Sequence, residues 1–365
     1  VTAVSKILLV DDSAVVRGLL SSIFNDEPDL EVVATAANGS IGLQKIERFD
    51  PDLVVLDIEM PVMDGLTTLV ELRARWPKLP VVMFSTLTEH GATATVDALA
   101  KGASDWATKP GQTTGLAKSR DHVRTELVAK VRALLSSRHP AANARPFAPK
   151  PSVRSTVATS RVDAVVLGCS TGGPVALETV LSAITPALEV PLFVVQHMPP
   201  RFTAALAERL NRKVDSTVVE ATQGMIPEAG FCYIAPGDRH MHVDGRSSAA
   251  AKIRLSEEPP VNSCRPAVDV LFSSAAKVYG ANILGVILTG MGSDGGLGSK
   301  ELAGLDAPVI AQDEATCVVY GMPRAVAELG AATEVLPIQN IGPRILQITA
   351  RSALGRLSAT LGQKP

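Results

Sequence analysis

Aromatic side chains are scarce in this chain, at 4% of its 365 residues, and cysteine occurs only four times. Cys169, Cys232, Cys264 and Cys317 lie far apart with no C-x-x-C pair. Free thiols are therefore expected rather than a disulfide framework. No apolar run approaches the roughly 20 residues needed to cross a bilayer, which argues against direct membrane insertion. Charge of one sign is not in excess either. The formal net charge is -2, so no global field recruits nucleic acid or an anionic membrane. The opening "VTAVSKILLVDD" meets acids too early for a signal peptide, and the cytoplasm is the expected location.

What the chain does have is bulk aliphatic content. It is 46% hydrophobic and 20% charged, and its length exceeds one typical core, so two domains are expected. Residues 136–161 read "SSRHPAANARPFAPKPSVRSTVATSR", with four prolines and no acidic residue. That composition marks a linker, placed at 136–160. About 25 flexible residues span roughly 30 Å root-mean-square, enough for flanking domains to meet or separate. The expected division is 1–135, linker 136–160, 161–350 and a C-terminal tail 351–365.

Both blocks alternate short apolar strands with amphipathic helices. In the first, strands are expected at 6–10, 31–37, 53–57 and 80–85, with helices at 39–48, 65–75, 92–101 and 121–135. Val15, Val16, Leu19, Leu20, Ile23 and Phe24 share one helical face. In the second, strands are expected at 163–168, 191–196, 231–235, 283–289 and 308–312. Helices are expected at 174–184, 202–213, 266–279, 296–304 and 321–329. "HMHVD" (240–244) and "KIRLS" (252–256) read as an inserted hairpin. The alternation implies α/β architecture with largely parallel sheets covered on both faces, the second block being a Rossmann-like doubly wound sheet with the β-hairpin inserted.

In the first block Asp11 and Asp12 fall at the end of the first strand and Asp57 at the end of the third. Strand carboxyl ends share one rim, where ligands bind. Three carboxylates converging there repel one another unless a cation intervenes, and hard oxygen donors suit Mg²⁺. Lys109 and Ser85 fall on the same rim. A carboxylate, a divalent cation, an ammonium and a hydroxyl together can accept a phosphoryl group. Taken singly, Asp11 or Asp12 would serve as a helix cap and Asp57 as a turn residue.

"ILLVDDS", "VVLDIEMPVMDGL", "VVMFS" and "KGASDWATKP" together resemble a response-regulator receiver domain over about residues 5–135. The resemblance implies a flavodoxin-like fold and phosphorylation of Asp57. It implies Mg²⁺ held by Asp12, Asp57 and the Glu59 backbone carbonyl, with Asp11 nearby or acting through water. Ser85 and Lys109 would contact the phosphoryl group, and Trp106 takes the aromatic switch position.

In the second block "GCSTG" (168–172) fits G-x-S-x-G at a strand-to-helix turn, with Pro174 placed to open a helix. A glycine-rich phosphate loop would look similar. A serine nucleophile needs a base, and the base an orienting acid. His197 ends the strand "PLFVVQHM", and Asp294 follows "NILGVILTG". All three project from strand carboxyl ends. The order Ser, His, Asp differs from that of the α/β-hydrolases. A dinucleotide site is disfavoured because "GCSTGG" lacks G-x-G-x-x-G spacing, and "GSDGGLGSK" lacks the spacing of a P-loop. His240 and His242 suit alternate hairpin positions better than a metal pair. Arg265 and Asp269 either line the cleft or start a helix.

"GCSTGGP", "VVQHMPPRFT", "YIAPGDRHM", "CRPAVDVLFSSAA", "LTGMGSDGG" and "AQDEATCVVYGMP" are similar to the catalytic domain of the chemotaxis protein-glutamate methylesterases, the CheB type. That resemblance implies Ser170 as nucleophile, His197 as general base and acid, and Asp294 as orienter. Thr171 and Met291 fall where the family places oxyanion or site-shaping groups. The implied substrate is the glutamate γ-methyl ester of methyl-accepting chemoreceptors, with glutamine deamidation a second activity and no cofactor for the esterase. A contact between receiver and esterase is the expected means of control, with a chemotaxis histidine kinase as the implied phosphodonor. A phospho-switched adaptor, or a hydrolase of a different ester or amide, remains open at this point.

Overall fold

The computed structural model describes residues 4–110, 116–138 and 161–361. The chain forms two compact units, 1–144 and 145–365.

The first unit runs β1 (Ser5–Val10), α1 (Ala14–Asn25), β2 (Leu30–Ala36), α2 (Gly39–Phe49), β3 (Leu53–Asp57), α3 (Gly65–Arg75), β4 (Val81–Ser85), α4 (Glu89–Ala100) and β5 (Asp105–Thr108). It closes with α5 (Leu116–Val123), a π-helical turn Arg124–Val128, and α6 (Ala129–Arg138). The parallel strands take the order β2-β1-β3-β4-β5, the flavodoxin-like arrangement whose ligands bind beyond the strand carboxyl ends. β3, β4 and β5 are buried throughout, as expected of strands covered on both faces. Each helix start is fixed locally. Ser13, Asn38, Asp64 and Thr88 cap α1 to α4 with side-chain oxygens that accept backbone N–H groups.

One expectation for this unit changes. Val15 is exposed, and the buried face of α1 is Leu20, Ile23 and Phe24. Basic residues of 121–135 are held in ion pairs and a ring contact. Arg132 bridges Glu27 and Asp29, Arg124 meets Glu27, and Lys130 lies over the Trp106 ring. The last helix is thereby fastened to the α1–β2 corner.

The second unit runs β6 (Ala164–Cys169), α7 (Gly173–Ser182), β7 (Leu192–Gln196), α8 (Phe202–Asn211), β8 (Thr217–Glu220), β9 (Phe231–Ile234), β10 (His240–Asp244) and β11 (Lys252–Ser256). There follow α9 (Val268–Tyr279), β12 (Ile283–Ile287), α10 (Gly296–Gly304), β13 (Val309–Gln312), α11 (Met322–Glu328), β14 (Glu334–Leu336) and α12 (Ile338–Leu361). Seven parallel strands take the order β14-β13-β12-β6-β7-β9-β8. β10 and β11 pair antiparallel as a separate hairpin against α9. The order reverses between β6 and β12, which makes their carboxyl ends the switch point where a site forms.

Strands β8 and β14 were not expected from the sequence. Both are edge strands, short and partly exposed. Helix α12 continues through residue 350 to Leu361, past the expected start of the tail. Most of the expected linker, residues 139–160, lies outside the described residues, as do 362–365. Among the described residues no helix is long and apolar enough to cross a membrane.

Candidate active site

At the carboxyl end of the receiver-like sheet, Asp11, Asp57 and Ser85 are buried, while Asp12 is exposed. Lys109 Nζ lies 2.9 Å from Asp11 Oδ2 and 2.8 Å from Asp57 Oδ2. Apart from that ion pair, these two oxygens have no hydrogen-bond partner among the described residues. Burial, reinforced by the neighbouring Asp11, pushes the Asp57 carboxyl up to about 6 even though Lys109 opposes it. Burial works against the Lys109 charge, but the two carboxylates prevail and raise its pKa. Oxygen donors of Asp11, Asp12 and Asp57 lie within 4.8 Å of one another. An under-satisfied, all-oxygen set of this kind fits a hard cation such as Mg²⁺. The Glu59 N–H faces Asp57 Oδ1 at 3.4 Å. Ser85 Oγ donates to the Gly91 carbonyl at 3.2 Å. Trp106 is buried on β5.

The second rim is built around the β6–β12 switch. Ser170 follows β6 directly, and its N–H donates to the Thr289 carbonyl at 3.0 Å. Its own carbonyl accepts from Gly173 N–H at 2.7 Å and from Gln196 Nε2 at 3.0 Å. The turn needs its glycines. Gly172 has φ +74°, and a Cβ there would lie 2.6 Å from the Val318 side chain. A Cβ on Gly173 would lie 2.0 Å from Gln196 Oε1. Thr171 is buried, with its carbonyl accepting from Thr289 Oγ1 at 2.9 Å. Met291, 38% exposed, lies just beyond β12.

His197 follows β7, its N–H donating to the Cys169 carbonyl at 3.2 Å. Its Nε2 lies 2.8 Å from Asp294 Oδ2. Asp294 Oδ2 also accepts from Val268 N–H at 2.6 Å. Its Oδ1 accepts from Asn262 Nδ2 at 2.9 Å, Gly295 N–H at 3.0 Å and Asp269 N–H at 3.1 Å. Val268 and Asp269 open α9, so the carboxylate sits on a helix N-terminus. Burial alone would raise the Asp294 pKa, but His197 and these donors hold it low. An ionised Asp294 that only accepts fixes the proton on Nε2 and leaves Nδ1 as the working nitrogen.

Nδ1 faces Cys264 Sγ at 3.6 Å. Among the described residues no hydrogen bond joins Ser170 Oγ to His197. Burial disfavours the imidazolium, yet Asp294 and Cys264 outweigh it and bring His197 to about 9. Cys264 and Asn262 escaped sequence reasoning. Their signal is the loop "VNSCRP", in which Asn262 and Ser263 both adopt left-handed backbone, at φ 52° and 62°, but only the fold carries that loop to residue 197. Asp269 starts a helix and also serves the site, accepting from Gly298 N–H at 2.7 Å and Asn262 Nδ2 at 2.8 Å. Arg265 pairs with Asp238 at 2.6 Å and caps the Glu257 carbonyl, which fastens the loop. His240 and His242 bond to the Pro259 carbonyl and Ser256 Oγ on the hairpin side. All four cysteines are free.

Comparison with known proteins agrees over both units. A response regulator receiver domain matches residues 7–120, and a CheB methylesterase domain matches residues 165–345. A protein-glutamate methylesterase/protein-glutamine glutaminase of Nocardioides sp. is 46% identical over 354 residues, covering 95% of this chain and 96% of the relative. One of the same description from Trichodesmium erythraeum is 40% identical, covering 94% of this chain and 98% of the relative. The crystal structure of the Thermotoga maritima CheB methylesterase catalytic domain is 41% identical with TM-score 0.50, covering 51% of this chain and 98% of that one. With the receiver-like sheet in front and a serine, a histidine and an aspartate at the rim of the second, the chain belongs to the CheB methylesterase family.

Proposed function

We propose that this chain is a chemotaxis methylesterase, switched by phosphorylation, in which Ser170, His197 and Asp294 do the chemistry. The observation that carries the reading is the Asp294–His197 pair, 2.8 Å apart, beside a serine held on a glycine-strained turn at the same sheet edge. His197 Nδ1 takes the Ser170 proton as Oγ attacks the γ-carbonyl of a methylated glutamate. The ester C–O bond breaks, and methanol leaves with the proton returned by the imidazolium. Water then adds to the γ-glutamyl ester of Ser170 by the same relay and releases a free carboxylate. With glutamine as substrate the leaving group is ammonia, which makes deamidation the second activity. Hydrogen bonds between nucleophile and base are commonly long in substrate-free enzymes and tighten on binding. Backbone N–H groups at the start of α7, with Thr171, would stabilise the oxyanion, and Met291 would shape the cleft.

In the receiver, Asp57 is the phosphoacceptor. Asp12, Asp57 and the Glu59 carbonyl would hold Mg²⁺, with Asp11 beside them, and the ion supplies charge neutralisation for phosphoryl transfer. Lys109 and Ser85 receive the phosphoryl oxygens, and Trp106 relays the change. The donor is a chemotaxis histidine kinase, the substrate is the cytoplasmic helices of methyl-accepting chemoreceptors, and the chain works in the cytoplasm. The receiver restrains the esterase when unphosphorylated, and phosphate on Asp57 relieves that restraint. Rapid quench with methylated receptor followed by mass spectrometry tests the chemistry. A γ-glutamyl adduct on the peptide containing Ser170 is expected; an adduct on another residue would refute the assignment.

A further inference from the structure

The ring nitrogen that the reaction needs is engaged by a thiol. We propose that His197 and Cys264 form a binding site for a thiophilic divalent cation of the zinc class, and that occupancy holds the esterase off.

Four observations converge. Donor atoms of His197, Cys264 and Asp294 lie within 4.8 Å of one another. The 3.6 Å between Nδ1 and Sγ is close to the edge of a tetrahedral zinc site, about 3.5 Å for Zn–N near 2.0 Å and Zn–S near 2.3 Å. Asp294 already accepts from Val268, Asn262, Asp269 and Gly295 besides His197. It therefore acts behind the ring, as the carboxylate that orients a metal-bound imidazole through the opposite nitrogen. Neither donor is wholly sealed off, the His197 side chain being 13% exposed and Cys264 half-buried.

The chemistry separates this site from the acid cluster of the receiver. Nitrogen and sulfur donors select zinc-like ions, and carboxylates select Mg²⁺. Binding needs no electron transfer. The cation takes the Nδ1 lone pair and the Cys264 thiolate, displacing the thiol proton and any proton on Nδ1, and water completes the coordination. An occupied Nδ1 cannot accept the Ser170 proton. That consequence rests on the proposed role of His197; the binding itself does not.

The full chain, treated with chelator and held in saturating Mg²⁺ to fill the acid cluster, is titrated with Co²⁺ and followed by absorbance. One equivalent is expected to give tetrahedral d–d bands and a thiolate-to-cobalt charge-transfer band, both abolished by one equivalent of Zn²⁺. Cys264→Ala and the near-isosteric Cys264→Ser are expected to lose the charge-transfer band, with circular dichroism confirming the fold. Zn²⁺ is expected to suppress methanol release at least tenfold in wild type, reversibly with chelator, in step with occupancy. Absence of the band, or its persistence in both Cys264 variants, would overturn the site. Full occupancy with undiminished methanol release would overturn the off-switch. A metal-free wild type that releases no methanol would instead count against the esterase reading, leaving the absorbance result to stand or fall alone.

Discussion

Asp294 accepts five hydrogen bonds and has no spare acceptor position for an amide N–H₂. In Asp294→Asn one side of the new amide must face a donor, and the imidazole loses its orienting charge. The expected result is a fall in kcat of roughly 10² to 10⁴ with KM little changed, measured as methanol release. His197 gives a second expectation, for chelator-treated protein. Its pKa is raised to about 9, so the imidazolium persists at neutral pH and the base form grows as pH rises through that value. kcat/KM is expected to climb between pH 7 and 9, in a profile read against the uncatalysed ester blank. A flat profile over that range would show that the Asp294 and Cys264 contacts do not set the basicity of the ring. The sign for folding is opposite. The Asp294–His197 pair contributes its full stability between about 4 and 6.5, the ordinary carboxylate and imidazole values, and loses it as pH passes about 9 or falls far below 4.

At the scale of elements, the site depends on the β6–α7 turn, which leaves no room for side chains at Gly172 and Gly173. Gly172→Ala places a Cβ on left-handed backbone against Val318. It is expected to cost about 1–3 kcal/mol in thermal unfolding and to lower activity further by moving Ser170. Apolar runs made most elements legible. "ILLV", "LVVLD" and "LFVVQ" are buried strands, and Ser13, Asn38, Asp64 and Thr88 cap helices. Legibility failed where burial is partial or contacts are distant. β8 and β14 lie at sheet edges with few apolar neighbours to enforce a period. α12 contains Pro343, which ordinarily argues against a continuous helix. Ser170 and His197 could be read because each directly follows an apolar strand, and Asp294 because it falls in the loop between an apolar strand and the next helix. Cys264 and Asn262 could not, because they sit on an irregular loop brought to His197 and Asp294 only by long-range folding.

For the molecule as a whole, a response regulator receiver domain and a methylesterase domain share one chain. Asp57 is buried and its pKa is raised to about 6, so in Mg²⁺-free buffer the folded receiver loses stability as pH rises from about 4 through 6. Removing the charge is worth roughly 3 kcal/mol at neutral pH by that shift, less what Lys109 loses as an ion-pair partner. Asp57→Asn is therefore expected to unfold later than wild type in Mg²⁺-free melts of the full chain at pH 7.5. The gap should shrink towards pH 5, and Mg²⁺ should stabilise wild type more than the variant. If the receiver restrains the esterase, deleting residues 1–140 should raise the basal methylesterase rate; an unchanged or lower rate would dispose of the inhibition model. The most direct measurement of the central claim is methanol release from methylated receptor membranes, with and without a phosphodonor. Wild type should release methanol and accelerate with the donor, Asp57→Ala should release it without acceleration, and Ser170→Ala should release essentially none. Undiminished release by Ser170→Ala would contradict the account.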